Sequence, residues 1–271
     1  MKLKTDFHLG LQTIFGQIAI FFIAPLTYMI LKALGYRIKN LDRLREEVKN
    51  AVEGHNGGWI ICANHLTMID SVFLAYAMKP LYRYVTHFRE MPWNLPERSN
   101  FQKNIFLSLL CYLTKCIPIS RGGDRSKMKE TMEKCVRLLD KGEALLIFPE
   151  GGRTRTGRVN TDSFSYGVGR LAQKSKNCRI LCIYLRGRSQ EFYSSIPRIG
   201  ETFSGKAEPF FHECSGGGLK AQRELARQII DTLSSMEEKW FAEEHQVFKK
   251  TAKMTVEQNL PAQYRAKRAN N

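Results

Sequence analysis

The chain has 271 residues, 43% of them hydrophobic and 11% aromatic, which argues against a disordered polymer and allows one large domain or two small ones. Lysine and arginine total 42 against 26 aspartate and glutamate, a net charge of +16 that favours an anionic partner: nucleic acid, an anionic membrane face or a phosphorylated substrate. The seven cysteines (Cys62, Cys111, Cys116, Cys135, Cys178, Cys182 and Cys214) are odd in number and form no CxxC pair, which argues against a disulfide framework or zinc site and for reduced, cytosolic thiols.

Residues 9–31 carry no charged side chain and are long enough to cross a bilayer as a helix. Gly10, Gln12, Gly16 and Gln17 dilute the first half, and Pro25 interrupts the second. Lys2 and Lys4 lie before the run and Lys32, Arg37 and Lys39 after it, so the distribution of positive charge selects no orientation. The expectation is two short helices meeting near Pro25, embedded in one leaflet with both ends cytosolic. A kinked transmembrane anchor, an uncleaved signal sequence and a core helix are the other readings.

After a polar stretch, 40–58, the apolar run 59–63 reads as a buried strand feeding Asn64 and His65. Residues 71–78 read as a helix, 82–86 as a strand, 101–113 as a helix and 116–120 as a strand. The segment 126–140 is amphipathic, with Met128, Met132, Cys135, Leu138 and Leu139 on one face, and Gly142 suits its C-terminus. A buried strand at 144–148 ends at Pro149; a helix at 166–174, a strand at 179–185 and a long amphipathic helix at 219–244 complete the pattern.

This alternation predicts an α/β fold: a single domain with a largely parallel central sheet flanked by helices, preceded by an N-terminal membrane-associated helical segment. The corresponding boundaries are 1–39 for the anchor, 40–245 for the domain and 246–271 for a basic, flexible tail. Residues 249–271 hold Lys249, Lys250, Lys253, Arg265, Lys267 and Arg268 against Glu257 alone, which suits either contact with anionic lipid or an inert solvated tail.

Ligands of such sheets collect at the carboxyl ends of the strands, where three of these runs deliver polar residues. The first is Asn64-His65-x4-Asp70. An imidazole there can accept a proton from an alcohol, and a carboxylate five residues on can orient the other ring nitrogen. The same spacing also fits a capping box, Thr67-x-x-Asp70, in which His65 has no role. No GxSxG elbow occurs, so the attacking oxygen is expected to be the substrate's own. The second run is Phe148-Pro149-Glu150-Gly151-Gly152-Arg153-Thr154-Arg155-Thr156-Gly157-Arg158, where glycines allow close approach of an anion and guanidinium groups can grip phosphate. The third, Ile119-Ser120-Arg121, brings one more cation.

Taken in order, these three blocks resemble the motifs of the glycerolipid acyltransferase superfamily, in particular the lysophosphatidic-acid (1-acylglycerol-3-phosphate) acyltransferases, over residues 55–190. Glu150-Gly151-Gly152-Arg153-Thr154-Arg155-Thr156-Gly157 looks more like the glycerol-3-phosphate enzymes. The family's usual fourth-block proline is absent from Ile183-Tyr184-Leu185-Arg186-Gly187, where Arg186 adds a charge. The resemblance implies an O-acyltransferase with His65 as general base and Asp70 as its orienting partner. Asn64, Arg121, Glu150, Gly151, Gly152 and Arg153 are then expected to bind substrate.

It also implies no metal and no prosthetic group, an acyl-CoA or acyl-ACP donor, a lyso-lipid acceptor, and a place on the cytoplasmic face of the inner membrane without nucleic acid as a partner. Three alternatives stand beside it. The same chemistry could serve a lyso-amino-acid lipid, a polyene or polyketide hydroxyl, or a lipid A precursor; the chain could instead be a basic nucleic-acid-binding protein, or an inactive lipid-binding scaffold.

Overall fold

The computed structural model describes residues 2–100, 104–120, 123–154, 156–211 and 217–259. It divides into two compact units, Met1–Ser234 and Ser235–Asn271, and the fold described here is that of the first.

Six strands make one sheet: β1 (Arg37–Ile38), β2 (Gly58–Ala63), β3 (Trp93–Asn94), β4 (Ala144–Ile147), β5 (Cys178–Gly187) and β6 (Thr202–Phe210). Their order is β1-β6-β5-β2-β4-β3. β2 pairs in parallel with β4 and β5, β3 with β4 and β1 with β6, while β5 and β6 are antiparallel. Every residue of β2 is buried, as expected for a strand covered on both faces.

The helices are α1 (Lys2–Ala33), α2 (Leu41–Val52), α3 (Asp70–Met78), α4 (Leu81–Thr86), α5 (Ile105–Leu113), α6 (Arg125–Asp140), α7 (Gly167–Lys174) and α8 (Gly218–Asn259). Ile61, Ala63, Leu146, Leu181, Ile183 and Leu185 form one core with α1 to α4. Ile60, Cys62, Leu145, Ile180 and Cys182, at most 2% exposed, alternate onto the opposite face. α6 packs on β2 and β4 there. At their closest point a Cβ on Gly58 would lie 2.4 Å from the Leu139 carbonyl oxygen, so only glycine fits. α8 continues to Asn259, into the segment expected as a tail; residues 260–271 lie outside the described residues.

Four local expectations are corrected. The 82–86 segment is the helix α4, not a strand. Tyr84 is buried and donates its hydroxyl to the Ala75 carbonyl at 2.9 Å, so packing overrides the β preference of its aromatic and β-branched residues. Residues 116–119 touch Asn94 and Glu97 through isolated bridges only. α5 begins at Ile105, capped by the Asn104 side chain on the Leu107 amide at 3.1 Å, and residues 101–103 lie outside the described residues.

The fourth correction concerns the N-terminus, where α1 runs unbroken through Pro25. Leu9, Gln12, Gly16, Ile20, Ala24 and Leu31 are buried along one face, while Pro25 lies on the exposed side. Gln12 and Gly16, expected to weaken this run, instead fasten it. Gln12 Nε2 donates to the carbonyls of Tyr112 at 2.9 Å and Cys116 at 3.0 Å. Gly16 admits Phe88, whose ring would lie 2.7 Å from any Cβ.

β6 and α2 were invisible in the pattern. Gly205 and Pro209 obscure the strand, and Pro209 is tolerated because β1 pairs only with Thr202 and Phe203, leaving the rest of that edge open. α2 covers part of it: Glu47 Oε2 accepts the Ala207 amide at 3.2 Å.

Candidate active site

β2 ends at Ala63, and Asn64 extends its ladder with a side chain. The buried amide donates from Nδ2 to the Leu185 carbonyl at 3.0 Å and accepts the Leu185 N–H on Oδ1 at 2.9 Å. This pins the end of β2 to β5 and delivers His65 beyond the sheet.

Asp70 opens α3 and gathers the preceding turn. Its Oδ2 accepts the amides of Leu66 at 2.6 Å and Thr67 at 2.8 Å and lies 3.0 Å from His65 Nδ1; its Oδ1 accepts the Thr67 hydroxyl. The Thr67 amide on Asp70 is the bond a Thr67-x-x-Asp70 box would make, but the helix N-cap is Ile69, and the same carboxylate also reaches the His65 ring. A carboxylate at Nδ1 places the ring proton there and leaves Nε2 as the basic nitrogen, an assignment made from the hydrogen-bond network. The imidazole also stacks on Phe148, at 4.1 Å between centroids and 18° between planes.

Phe148 follows β4, and the loop after it closes on the His65 turn. Gly151 adopts φ +73°, a conformation that suits glycine, and donates its N–H to the Phe148 carbonyl at 3.0 Å. Glu150 turns inward and is 8% exposed. Its Oε1 accepts the His65 backbone N–H at 2.8 Å, and its Oε2 accepts the Asn160 amide at 3.2 Å and the Thr154 hydroxyl. The Thr154 amide returns a bond to the His65 carbonyl at 3.3 Å.

A third segment, after β5, completes the cluster. The Ser194 amide donates to the Leu66 carbonyl at 3.0 Å and the Met68 amide to the Ser195 carbonyl at 3.1 Å. Arg153 Nη1 donates to the Ser194 carbonyl at 3.0 Å, with the guanidinium 5.5 Å from the centre of the Tyr193 ring. The buried Arg186 clasps the carbonyls of Gly157 and Gln190, joining the arginine-rich loop to this segment.

Asn64, His65, Asp70, Glu150, Gly151 and Arg153 thus belong to one network of loops after β2, β4 and β5, with Gly152 exposed beside them. Arg121 lies outside the described residues, as does Arg155. Asn64 bonds backbone groups, and Glu150 bonds two backbone amides and the Thr154 hydroxyl, which positions the histidine turn. Phe148 and Arg186 were not picked out as positioning residues from the sequence. Phe148 lies two positions before Glu150 in the same block, and Arg186 ends an apolar run.

Beside α3, beginning at Ser71, a small apolar cavity of about 160 Å³ opens between Ile20 and Ala24 of α1, Val72 and Ala75 of α3, and Leu110 of α5. A larger one, about 660 Å³, is lined by His55, Trp59, Phe88, Arg89 and Glu143 around the start of β2 and β4, and contains none of the His65 network. Among the described residues, no cluster of three His, Cys, Asp or Glu side chains is arranged to hold a metal ion.

Comparison with known protein families gives a match to the acyltransferase model over residues 35–186, from just before β1 almost to the end of β5. No match was found among curated proteins. The matched span is more than half of the chain and contains the His65 turn, the Glu150 loop and Asn64 with its partner Leu185, and the chain accordingly belongs to the acyltransferase family, within the glycerolipid acyltransferase superfamily.

Proposed function

We propose that this protein transfers a fatty acyl group from acyl-CoA or acyl-ACP to the hydroxyl of a lysophosphatidate-like lysophospholipid, at the cytoplasmic face of a membrane. One observation carries the reading: the Asp70 carboxylate lies on Nδ1 of His65, leaving the opposite nitrogen as the proton acceptor.

In this mechanism Nε2 takes the acceptor's hydroxyl proton as its oxygen attacks the thioester carbonyl. The tetrahedral oxyanion collapses, the C–S bond breaks, and the leaving thiolate takes the proton from the imidazolium. Asp70 stays ionised throughout and stabilises that imidazolium. No acyl-enzyme is formed. Arg153, fixed through Nη1 on Ser194, offers its remaining N–H groups to the acceptor phosphate. The apolar cavity between α1, α3 and α5 is the proposed place for the acyl chain.

The test is acyl transfer by the purified chain with labelled acyl-CoA and acyl-ACP, offered lysophosphatidate, glycerol-3-phosphate and non-phosphorylated lyso-lipids. Label in the esterified lysophosphatidate, lost in His65→Ala, is the expected result. Transfer confined to a non-phosphorylated acceptor would replace the acceptor assignment, and no transfer to any of them would overturn the reading.

A further inference from the structure

We propose that α5 is a membrane-embedded element that enters, beside α1, the single leaflet in which the N-terminal segment is expected to lie.

The placement of α1 in one leaflet agrees with how the helix is held. Its buried stripe, Leu9 to Leu31, rests on the domain along its whole length. Asp6 pairs with Lys141 at 3.0 Å at one end. Just past the other end, the Leu34 carbonyl accepts the Gly200 amide at 2.8 Å and the Tyr36 hydroxyl reaches the Pro197 carbonyl at 2.9 Å. Asp6–Ala33 is long and apolar enough to span a bilayer. A helix attached at both ends and along one face to a folded domain cannot span without drawing that domain's charged groups into hydrocarbon.

The outward face is largely apolar, interrupted by His8, Gln17 and Lys32. Ile14, Ile18, Phe21 and Met29 are 56, 61, 62 and 58% exposed. α5 packs alongside α1 and continues this surface. It has no buried residue and no charged one, and Ile105, Phe106 and Leu109 are 78, 80 and 54% exposed. An amphipathic helix in water normally buries its apolar side chains; α5 presents them.

Lipid is the occupant that fits. The surface is continuous with a helix of membrane-spanning hydrophobicity, and the chain's net charge of +16 matches an anionic leaflet. α1 carries a single acidic residue, Asp6, which is neutralised by Lys141, so no carboxylate on either helix opposes insertion. This arrangement is independent of the acyl-transfer chemistry, because it is read by binding without turnover.

The experiment uses the full chain with Phe21→Trp, Phe106→Trp or, outside this surface, Leu219→Trp. Each is titrated with vesicles of phosphatidylcholine and phosphatidylglycerol carrying brominated acyl chains. Quenching of the tryptophans at 21 and 106, and not of that at 219, is expected. The double variant Phe106→Asp/Leu109→Asp should keep its melting temperature, since both side chains are exposed, and partition onto vesicles at least about tenfold more weakly. Quenching at 21 but not at 106, or unchanged partitioning of the double variant, would overturn the proposal. So would a dimer in sedimentation equilibrium that the double variant abolishes while vesicle binding persists, which would make α5 an interface between copies.

Discussion

The Glu150 carboxylate accepts the backbone N–H of His65 at 2.8 Å, across 85 positions of sequence. A residue in the middle of an arginine-rich loop therefore holds the imidazole's own backbone, while its second oxygen takes Thr154 and Asn160. Glutamine keeps one oxygen and places an NH₂ against donors. Glu150→Gln is expected to lose about 1–3 kcal/mol of stability by urea unfolding, and kcat about 10- to 100-fold. An acceptor KM that rises while kcat holds would make Glu150 a substrate ligand instead.

Asp70→Asn is expected to lose less activity than His65→Ala. An asparagine oxygen can still take the Leu66 and Thr67 amides and Nδ1, with its NH₂ toward the Thr67 hydroxyl, so the base survives without its counter-charge. His65→Ala removes the proposed base, and the expected loss is about 10²–10⁴-fold in kcat. Small, equal losses in steady-state assays would remove the pair from the chemistry.

Lys79 and Arg83 both bind Glu90, at 2.6 and 2.9 Å, and tie the ends of α3 and α4 to the turn that follows. The Arg83 hydrogen bond, assisted by Lys79, lowers the Glu90 carboxyl from 4.5 to about 2. A depressed carboxyl stabilises the fold at pH above its unfolded value, and the contribution fades as the pH falls through the folded one. Urea midpoints should fall between about pH 4.5 and 2, and Glu90→Gln should flatten that part of the profile. A wild-type slope retained in the variant would assign it to other carboxylates.

Lys115 is buried, and its ammonium donates to the Arg89 and Met91 carbonyls at 3.3 and 2.9 Å and to Glu143 at 2.9 Å. Burial pulls its pKa down, and Glu143 opposes the shift. Lys115→Met takes the ammonium from the Arg89 and Met91 carbonyls and leaves Glu143 with Trp93 Nε1 at 3.2 Å and Arg89 at 3.4 Å; it is expected to destabilise by about 3–5 kcal/mol in denaturant titration.

Gly169 lets α7 approach α8 so closely that a Cβ would sit 2.0 Å from the Gln222 carbonyl oxygen. Gly169→Ala favours the helix intrinsically by up to about 1 kcal/mol. The clash should outweigh that and lower stability by about 1–3 kcal/mol overall. A raised melting temperature would mean that α8 yields.

How much of this was legible in the sequence depends on distance along the chain. His65 and Asp70 are five residues apart on one turn, so spacing alone suggested their contact. β2, β4 and β5 announced themselves as unbroken apolar runs because both faces of the sheet are covered. The Glu150 block was legible as a strand end with polar residues, but the hydrogen bonds of Glu150 to His65, Thr154 and Asn160 were not, because His65 lies 85 positions away and is brought to it only by the fold. Tyr82 to Thr86 carries β-forming residues, yet the burial of Tyr84 against Ala75 makes it helical. Gln12 and Gly16 looked like defects in an apolar helix until Tyr112, Cys116 and Phe88 were found against them.

The His65 turn is restrained from two segments: Asp70 of α3 on the ring nitrogen, and the loop after β4, with Phe148 on the ring face and Glu150 and Thr154 on the backbone N–H and carbonyl. In the proposed role of base, an imidazole so fixed has little orientational entropy left to lose when an alcohol arrives, and its carboxylate partner is already in place on Nδ1. Temperature dependence of turnover should accordingly report the ordering of the incoming lipid and the bond-making itself, with little contribution from motion of the imidazole.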